Sequence, residues 1–431
     1  MREPAEARAL LDSMLSLGSA PERQAEYHWS HQICTRFADS AITQNSAGAE
    51  EGVSLSAAFG TRHGGSTTNR LDRDALARMA ERAERIARNS PEDPEHMPLL
   101  GPQDYRESPG RFRAETLRHT PAAIADAVRE AIEPARRRGY TASGFFTVGW
   151  SQGAAANSRG LVLFDRNTWA DYSLTVLGPA GSGHAEAFAE SPADISPRRL
   201  GEEALETASA AQDPREIEPG EYTVIFEPLA TFDFLAYLFW GLAARDADQG
   251  ATAFAGKAGR KVAADSITIE TATDDPELPA PPCGDECLPA RPVAWIRNGV
   301  LERLHYSRYW AAHKGVQPDA GLCTVRMAGA DASVADLIAR CEHGLLVKRL
   351  WYIRYVDRKT LLLTGMTRDG LFLVENGRVT APVQNLRFNE SPLVFLSNAV
   401  ALSRPVRVGQ GARVPAVMSE RFTFSSKTTS V

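Results

Sequence analysis

The sequence predicts an α+β protein, with a mixed α/β N-terminal half and a mainly antiparallel β C-terminal half crossed by a buried apolar helix. Three observations carry this reading. Apolar residues recur at helical spacing in 71–89 and 121–138, between runs of strand character. The run Leu229 to Ala244 (LATFDFLAYLFWGLAA) is apolar nearly all round, the mark of a helix buried on all sides. After it come the β-type runs 300–306, 345–356 (LLVKRLWYIRYV), 360–366, 370–374, 378–380 and 419–425, with the hairpin signal Glu375-Asn376-Gly377-Arg378.

From the N-terminus, 32–43 and 52–59 read as strands, with the polar run Gln44 to Glu51 as the turn between them. Asp72 or Asp74 caps the helix over 71–89 and Pro91 stops it. Residues 90–112, rich in Pro, Asp and Gly, form a long connection. The next helix has Thr120 as N-cap, Pro121 at its first position and Gly139 just past its end. Strands are expected at 144–150, 161–165 and 172–177, a loop at 178–187 and a helix at 199–212. Pro219-Gly220 marks the main boundary. The expected units are 1–112, 113–219 and 220–431. In the last, 221–226 is a strand, Pro228 opens the apolar helix, and 274–294, with six prolines, is irregular.

Composition narrows the function. The 431 residues carry 48 Lys and Arg against 54 Asp and Glu, a net charge of −6 with no basic tail, which argues against nucleic acid as the main partner. Five cysteines are too few and odd in number for a disulfide framework, so a reducing cytoplasm is the expected home. The N-terminus lacks the uninterrupted apolar core of a signal peptide. The 16-residue apolar run carries Asp233 and is shorter than the roughly 18–20 residues that cross a bilayer, so no membrane is expected.

Single motifs are weak. Gly149-Trp150-Ser151-Gln152-Gly153 matches the nucleophile elbow Gly-x-Ser-x-Gly, but that chemistry needs a helix straight after the serine, and the sequence offers another turn at Asn157-Ser158-Arg159-Gly160. Cys283 and Cys287 have zinc-type spacing, yet a structural site needs four ligands, and Cys323, Cys341 and His343 would have to converge from elsewhere. His28 and His31 could share a helical face but have no acidic third ligand. Gly178 to Gly183 is glycine-rich without the order of a phosphate-binding loop.

Longer blocks say more. They are Thr35-Arg-Phe-Ala-Asp-Ser-Ala-Ile-Thr-Gln-Asn45, Phe254-Ala-Gly-Lys-Ala-Gly-Arg-Lys-Val262, Ile296-Arg-Asn-Gly-Val-Leu301 and Leu346 to Asp357. Thr360 to Gly370, Glu375-Asn376-Gly377 and Val383 to Glu390 continue them. Together they resemble the TldD/PmbA family over about residues 25 to 425. The resemblance implies a cytoplasmic metalloprotease of two related subunits that cleaves small unfolded peptides, including leader regions of modified peptide antibiotics. The TldD-type subunit carries His-Glu-x-x-x-His and a later cysteine and binds zinc; the TldE or PmbA type does not. Here those ligand positions fall at about Leu235, Ala236 and Trp240, and no histidine lies between His184 and His305. Leucine and tryptophan offer zinc no lone pair, and alanine is no general base.

The resemblance therefore implies the non-metal partner of a TldD-type subunit. It would form half of a peptide channel, hold no cofactor itself and leave the zinc to the other chain. A peptide-binding scaffold without hydrolysis is the alternative, and a free-standing hydrolase using Ser151 or a Cys-based metal site a third. The peptide is expected to add as a β-strand to a sheet edge, with Arg354, Arg368 and Asp369 as its contacts.

Overall fold

In the computed structural model, which describes residues 1–428, several helices start where capping side chains stand. The N-terminal half comprises α1 (Pro4–Leu15), β1 (Glu22–Ala38), β2 (Ala41–Phe59), β3 (Arg62–Thr68), α2 (Arg73–Asn89), α3 (Pro121–Arg137), β4 (Thr141–Asn157), β5 (Val162–Leu177), β6 (Ser182–Ala189) and α4 (Pro197–Ala210). Asp72 caps α2, Thr120 caps α3 and Ser196 caps α4, each accepting a backbone N–H three residues on. The strands form one antiparallel sheet in the order β3-β2-β1-β4-β5-β6, so strands from both sides of residue 112 share it. Ala25 and Tyr27 of β1 pack with α1 and α2; Ile33 and Phe37 pack with α3 and α4.

Three expectations fail in this half. The runs 161–165 and 172–177 belong to one strand, β5. Gln44 to Glu51 is strand, because β1 and β2 form one long hairpin that reverses at Asp39 and Ser40, both at positive φ (49° and 58°). The segment 178–187 is not all loop, since β6 begins at Ser182. Its glycines are there for close packing: a Cβ on Gly183 would stand 2.1 Å from the Ala204 carbonyl oxygen of α4.

The C-terminal half continues with β7 (Glu221–Phe226), α5 (Pro228–Trp240), α6 (Ala244–Asp248), β8 (Ile269–Thr271), β9 (Val293–Arg297), β10 (Val300–Leu301), α7 (Arg308–Lys314), β11 (Val325–Met327) and α8 (Val334–Arg340). Then come β12 (His343–Asp357), β13 (Leu362–Glu375), β14 (Arg378–Pro382), β15 (Leu386–Glu390), α9 (Pro392–Ser397), β16 (Ala399–Leu402), β17 (Val406–Val408), β18 (Ala412–Val414) and β19 (Val417–Lys427). One sheet runs β10-β9-β8-β11-β18-β17. In the other, β12, β7, β19, β15 and β13 each pair on both sides and close into a ring. Pairing is mainly antiparallel, as expected, but β12–β7 and β11–β18 are parallel.

Helix α5 packs on this ring through Phe234, whose side chain meets Phe226, Phe388, Phe395 and Phe422 at ring separations of 5.5–6.0 Å. Leu235 and Leu238 are fully buried beside it. The expectation of burial on all sides is corrected at the far end: Trp240 is 67% exposed. One face of α5 is core and the other lines a groove.

Polar clips join the halves. Ser182 donates to Asp369 at 2.7 Å, and the Arg407 guanidinium donates to both carboxylate oxygens of Glu190 at 2.7 and 2.8 Å. Arg245 holds Glu95 in the same two-pronged way, with both bonds at 2.8 Å.

Candidate functional site

The groove lies where the exposed face of α5 meets the outer part of β12. Its volume is about 450 Å³, and Asp233, Ala236 and Tyr237 face Trp351, Tyr352 and Arg354 across it. Two tyrosines lock helix to strand. The Tyr237 hydroxyl donates to the Ile353 carbonyl oxygen, and the Tyr355 hydroxyl donates to the Tyr237 carbonyl oxygen, both at 2.6 Å.

Tyr352 has φ +57° at an irregularity in the β12–β13 register, and Trp351 and Tyr352 are consequently both exposed although they are neighbours. Arginines sit on these rings. Arg354 lies 4.6 Å from the Tyr352 centroid, Arg368 and Arg349 lie 5.1 and 4.9 Å from Trp351, and Arg358 lies 5.2 Å from Tyr355.

Asp233 is the one carboxyl on the wall. It accepts the Leu350 N–H at 3.4 Å, and burial pushes its pKa up to about 7 against the pull of Arg349. The positions aligned with zinc ligands are divided by the helix: Leu235 points into the core, Ala236 lines the groove, and Trp240 stands exposed at the last residue of α5, 4.9 Å from the Tyr237 ring. Among the described residues no three His, Cys, Asp or Glu side chains are grouped to hold a metal ion, so the donors present do not fit zinc.

Asp369 lies away from the groove. Its side chain is fully buried, with φ +54°, and is held by Ser182 and by Arg349 at 2.8 Å. It orients Arg349 and meets no open space in the groove. Arg354 is exposed and Arg368 half-buried. Strand addition along this edge of β12 also meets an obstacle, because α5 already uses the Leu350 N–H through Asp233 and the Ile353 carbonyl through Tyr237.

The remaining candidates separate. Ser151 lies inside β4 with its hydroxyl donating to Asn167 at 2.6 Å, so no nucleophile elbow exists. His28 and His31 lie on a strand, an odd number of residues apart, and face opposite sides of the sheet. His31 stacks on Trp150 at 4.3 Å. All five cysteines are free thiols, and burial pushes Cys283 up to about 12 and Cys323 up to about 11. Cys341 is buried beside α8, while His343 is exposed. A cleft of about 550 Å³ lies beside residues 105–112, where Arg111 is paired to Asp165 at 3.0 Å and Arg166 lies over Phe112 at 4.4 Å.

Sequence reasoning overlooked Asp233, Tyr237, Trp351 and Tyr352 as groove residues. A carboxyl inside an apolar helix and two adjacent aromatics in an alternating strand were the available signals.

Known proteins bear on this geometry. Residues 219–426 match the PmbA/TldA metallopeptidase C-terminal domain, and residues 27–87 match domain 1 of the same family. A metalloprotease of Methanothermobacter thermautotrophicus is 24% identical over 247 residues, 54% of this chain and 52% of that protein, so the chain spans about half of its length. The fold matches TldE from Thermococcus kodakarensis with a TM-score of 0.87 and 19% identity, over 98% of this chain and 99% of that one. A Bacteroides thetaiotaomicron protein named as a candidate modulator of DNA gyrase matches with a TM-score of 0.87 and 21% identity, over 97% and 98% of the two chains. No helix among the described residues is long and apolar enough to cross a membrane. From the paired domain matches and the shared fold, the chain belongs to the TldD/PmbA family.

Proposed function

We propose that this chain is the metal-free subunit of a peptidase of this family, binding unfolded peptide in the α5–β12 groove while a homologous TldD-type subunit supplies the zinc. One observation carries the reading. At the helix where the family's ligands are expected, this chain presents aromatic and arginine side chains around an open groove and no donor set for a metal. Such a wall binds and orients a chain without performing hydrolysis. Trp351 and Tyr352 offer flat apolar surface to side chains, and Arg354 and Arg368 offer charge and hydrogen-bond donors. A groove of about 450 Å³ has room for the side chains of an extended segment and none for a folded domain. Catalysis then belongs to the assembled pair, which would work in the cytoplasm.

The test is to purify this chain and a TldD-type subunit separately and together, and to measure cleavage of an unstructured peptide. Cleavage by the pair and by neither chain alone is expected. Equal cleavage by the TldD-type subunit alone overturns the proposal. Peptide binding by a pair that never cleaves would leave the scaffold reading in its place.

A further inference from the structure

The strand that walls the groove is basic on a chain that is acidic overall. Residues 348–359 hold Lys348, Arg349, Arg354, Arg358 and Lys359 against the single carboxylate Asp357, whereas the whole chain carries −6. That carboxylate is turned to its own loop, accepting from the Lys359 N–H at 3.0 Å and from the Thr360 hydroxyl at 2.8 Å. The arginines beside the groove are poorly paired. Arg349 is taken by Asp369 at 2.8 Å, and Arg368 has only a 3.8 Å approach to the same carboxylate. Arg354 and Arg358 form no ion pair among the described residues; Arg354 donates to the Ile353 carbonyl at 3.0 Å, and each lies over a tyrosine ring. Arginine on a carboxylate-rich protein ordinarily finds a carboxylate, and leaving it on an exposed aromatic keeps its donors available.

We propose that the groove selects acidic peptides, reading aspartate or glutamate side chains of an extended segment with Arg354, Arg358 and Arg368 while the intervening residues rest on Trp351 and Tyr352. The inference rests on the peptide-binding reading given above and adds the substrate class to it. The cations are spread along the strand. At about 3.3 Å per residue, Trp351 and Tyr355 stand ~13 Å apart. One terminal carboxylate cannot meet several charges so spaced, whereas an extended chain with acidic residues on one face can. Asp233 opposes this only in part, since burial raises its carboxyl to about 7, partly protonated at neutral pH, and it is turned to the Leu350 N–H.

The experiment uses the full chain and three fluorescent probes. The first is a C-terminally amidated peptide of about eight residues alternating glutamate and alanine, long enough to span the strip at ~3.3 Å per residue. The second replaces each glutamate with glutamine, and the third is a single-stranded oligonucleotide. The glutamate peptide is expected to bind about ten-fold more tightly than the glutamine peptide, as a few solvent-screened charge contacts allow. Salt should erase that preference. Arg354→Gln should reduce it several-fold, and so should Arg368→Gln, with the glutamine peptide unaffected and thermal unfolding unchanged.

Equal binding of the two peptides overturns the acidic selectivity while leaving a peptide groove in place. Failure of both peptides to bind overturns the groove as well. A preference that survives Arg354→Gln, Arg358→Gln and Arg368→Gln combined in one chain shows that another surface reads the charge and overturns the assignment. Oligonucleotide binding tighter than the glutamate peptide, lost in the same variants, overturns it in favour of nucleic acid.

Discussion

The hydroxyl of Ser182 in β6 donates to Asp369 in β13 at 2.7 Å, the second oxygen of that carboxylate takes the Arg349 guanidinium at 2.8 Å, and the link joins the two halves of the chain. The carboxylate is fully buried and holds a guanidinium that also stacks on Trp351 of the groove. Removing it strands a mostly buried cation. Asp369→Ala is expected to cost about 3 kcal/mol of unfolding free energy, the usual penalty for orphaning one side of a buried pair. Urea unfolding measures it; a loss near zero would mean that water replaces Asp369.

The two faces of α5 should respond differently to truncation. Leu235 is fully buried, and Leu235→Ala should cost about 3 kcal/mol through lost burial and the cavity left behind. Trp240 is 67% exposed, and Trp240→Ala should change stability by less than about 1 kcal/mol. Similar losses at both sites, measured by denaturant unfolding, would contradict a helix with one face in the groove.

Much of this was legible in the sequence, for reasons that also explain the gaps. Asp72, one of two caps expected for α2, and Thr120, the cap expected for α3, stand where the sequence places them, since capping is local chemistry. Ser196, the cap of α4, was not read, and that helix starts at Pro197, two residues earlier than expected. Residues 44–50 were misread because that part of β2 is exposed, and an exposed strand keeps no apolar alternation. Its true turn, Asp39-Ser40, lacks the glycine that advertises a positive-φ reversal. The β6 glycines looked like a loop although they serve contact with α4. Of the groove, Arg354 and Arg368 were visible as arginines on a strand. Trp351 and Tyr352 were not, because their joint exposure depends on a register irregularity set by pairing with β13.

Ser151 offers a sharp check on the hydrolase reading that its motif suggests. Its hydroxyl is spent on Asn167 within the sheet. Ser151→Ala should leave peptide cleavage by an assembled pair unchanged while lowering stability by about 1 kcal/mol for the lost hydrogen bond. Loss of cleavage at unchanged stability would restore the serine to the chemistry.

Asp233 sets the expected response to pH. Burial raises its pKa from 3.8 to about 7, so the folded chain binds more protons than the unfolded chain between those values. Stability should therefore fall as pH rises through that window, by up to about 1.4 kcal/mol per pH unit from this residue, and level off above it. Glu227 is raised by burial and acts in the same direction. His305, raised by its hydrogen bond to Asp319, contributes stability that is present below its unfolded value of 6.5 and lost as pH climbs through the folded one. Both groups persist in Asp233→Asn, so the difference between variant and parent isolates Asp233. Urea midpoints should show the variant gaining on the parent as pH rises from acid to neutral, with the gap constant in the alkaline range. The amide keeps a carbonyl oxygen for the Leu350 N–H and carries no charge to desolvate, which is why the substitution should stabilise at alkaline pH. Parallel profiles for the two proteins would mean that Asp233 titrates in the fold as it does in the unfolded chain, the pull of Arg349 cancelling the cost of burial.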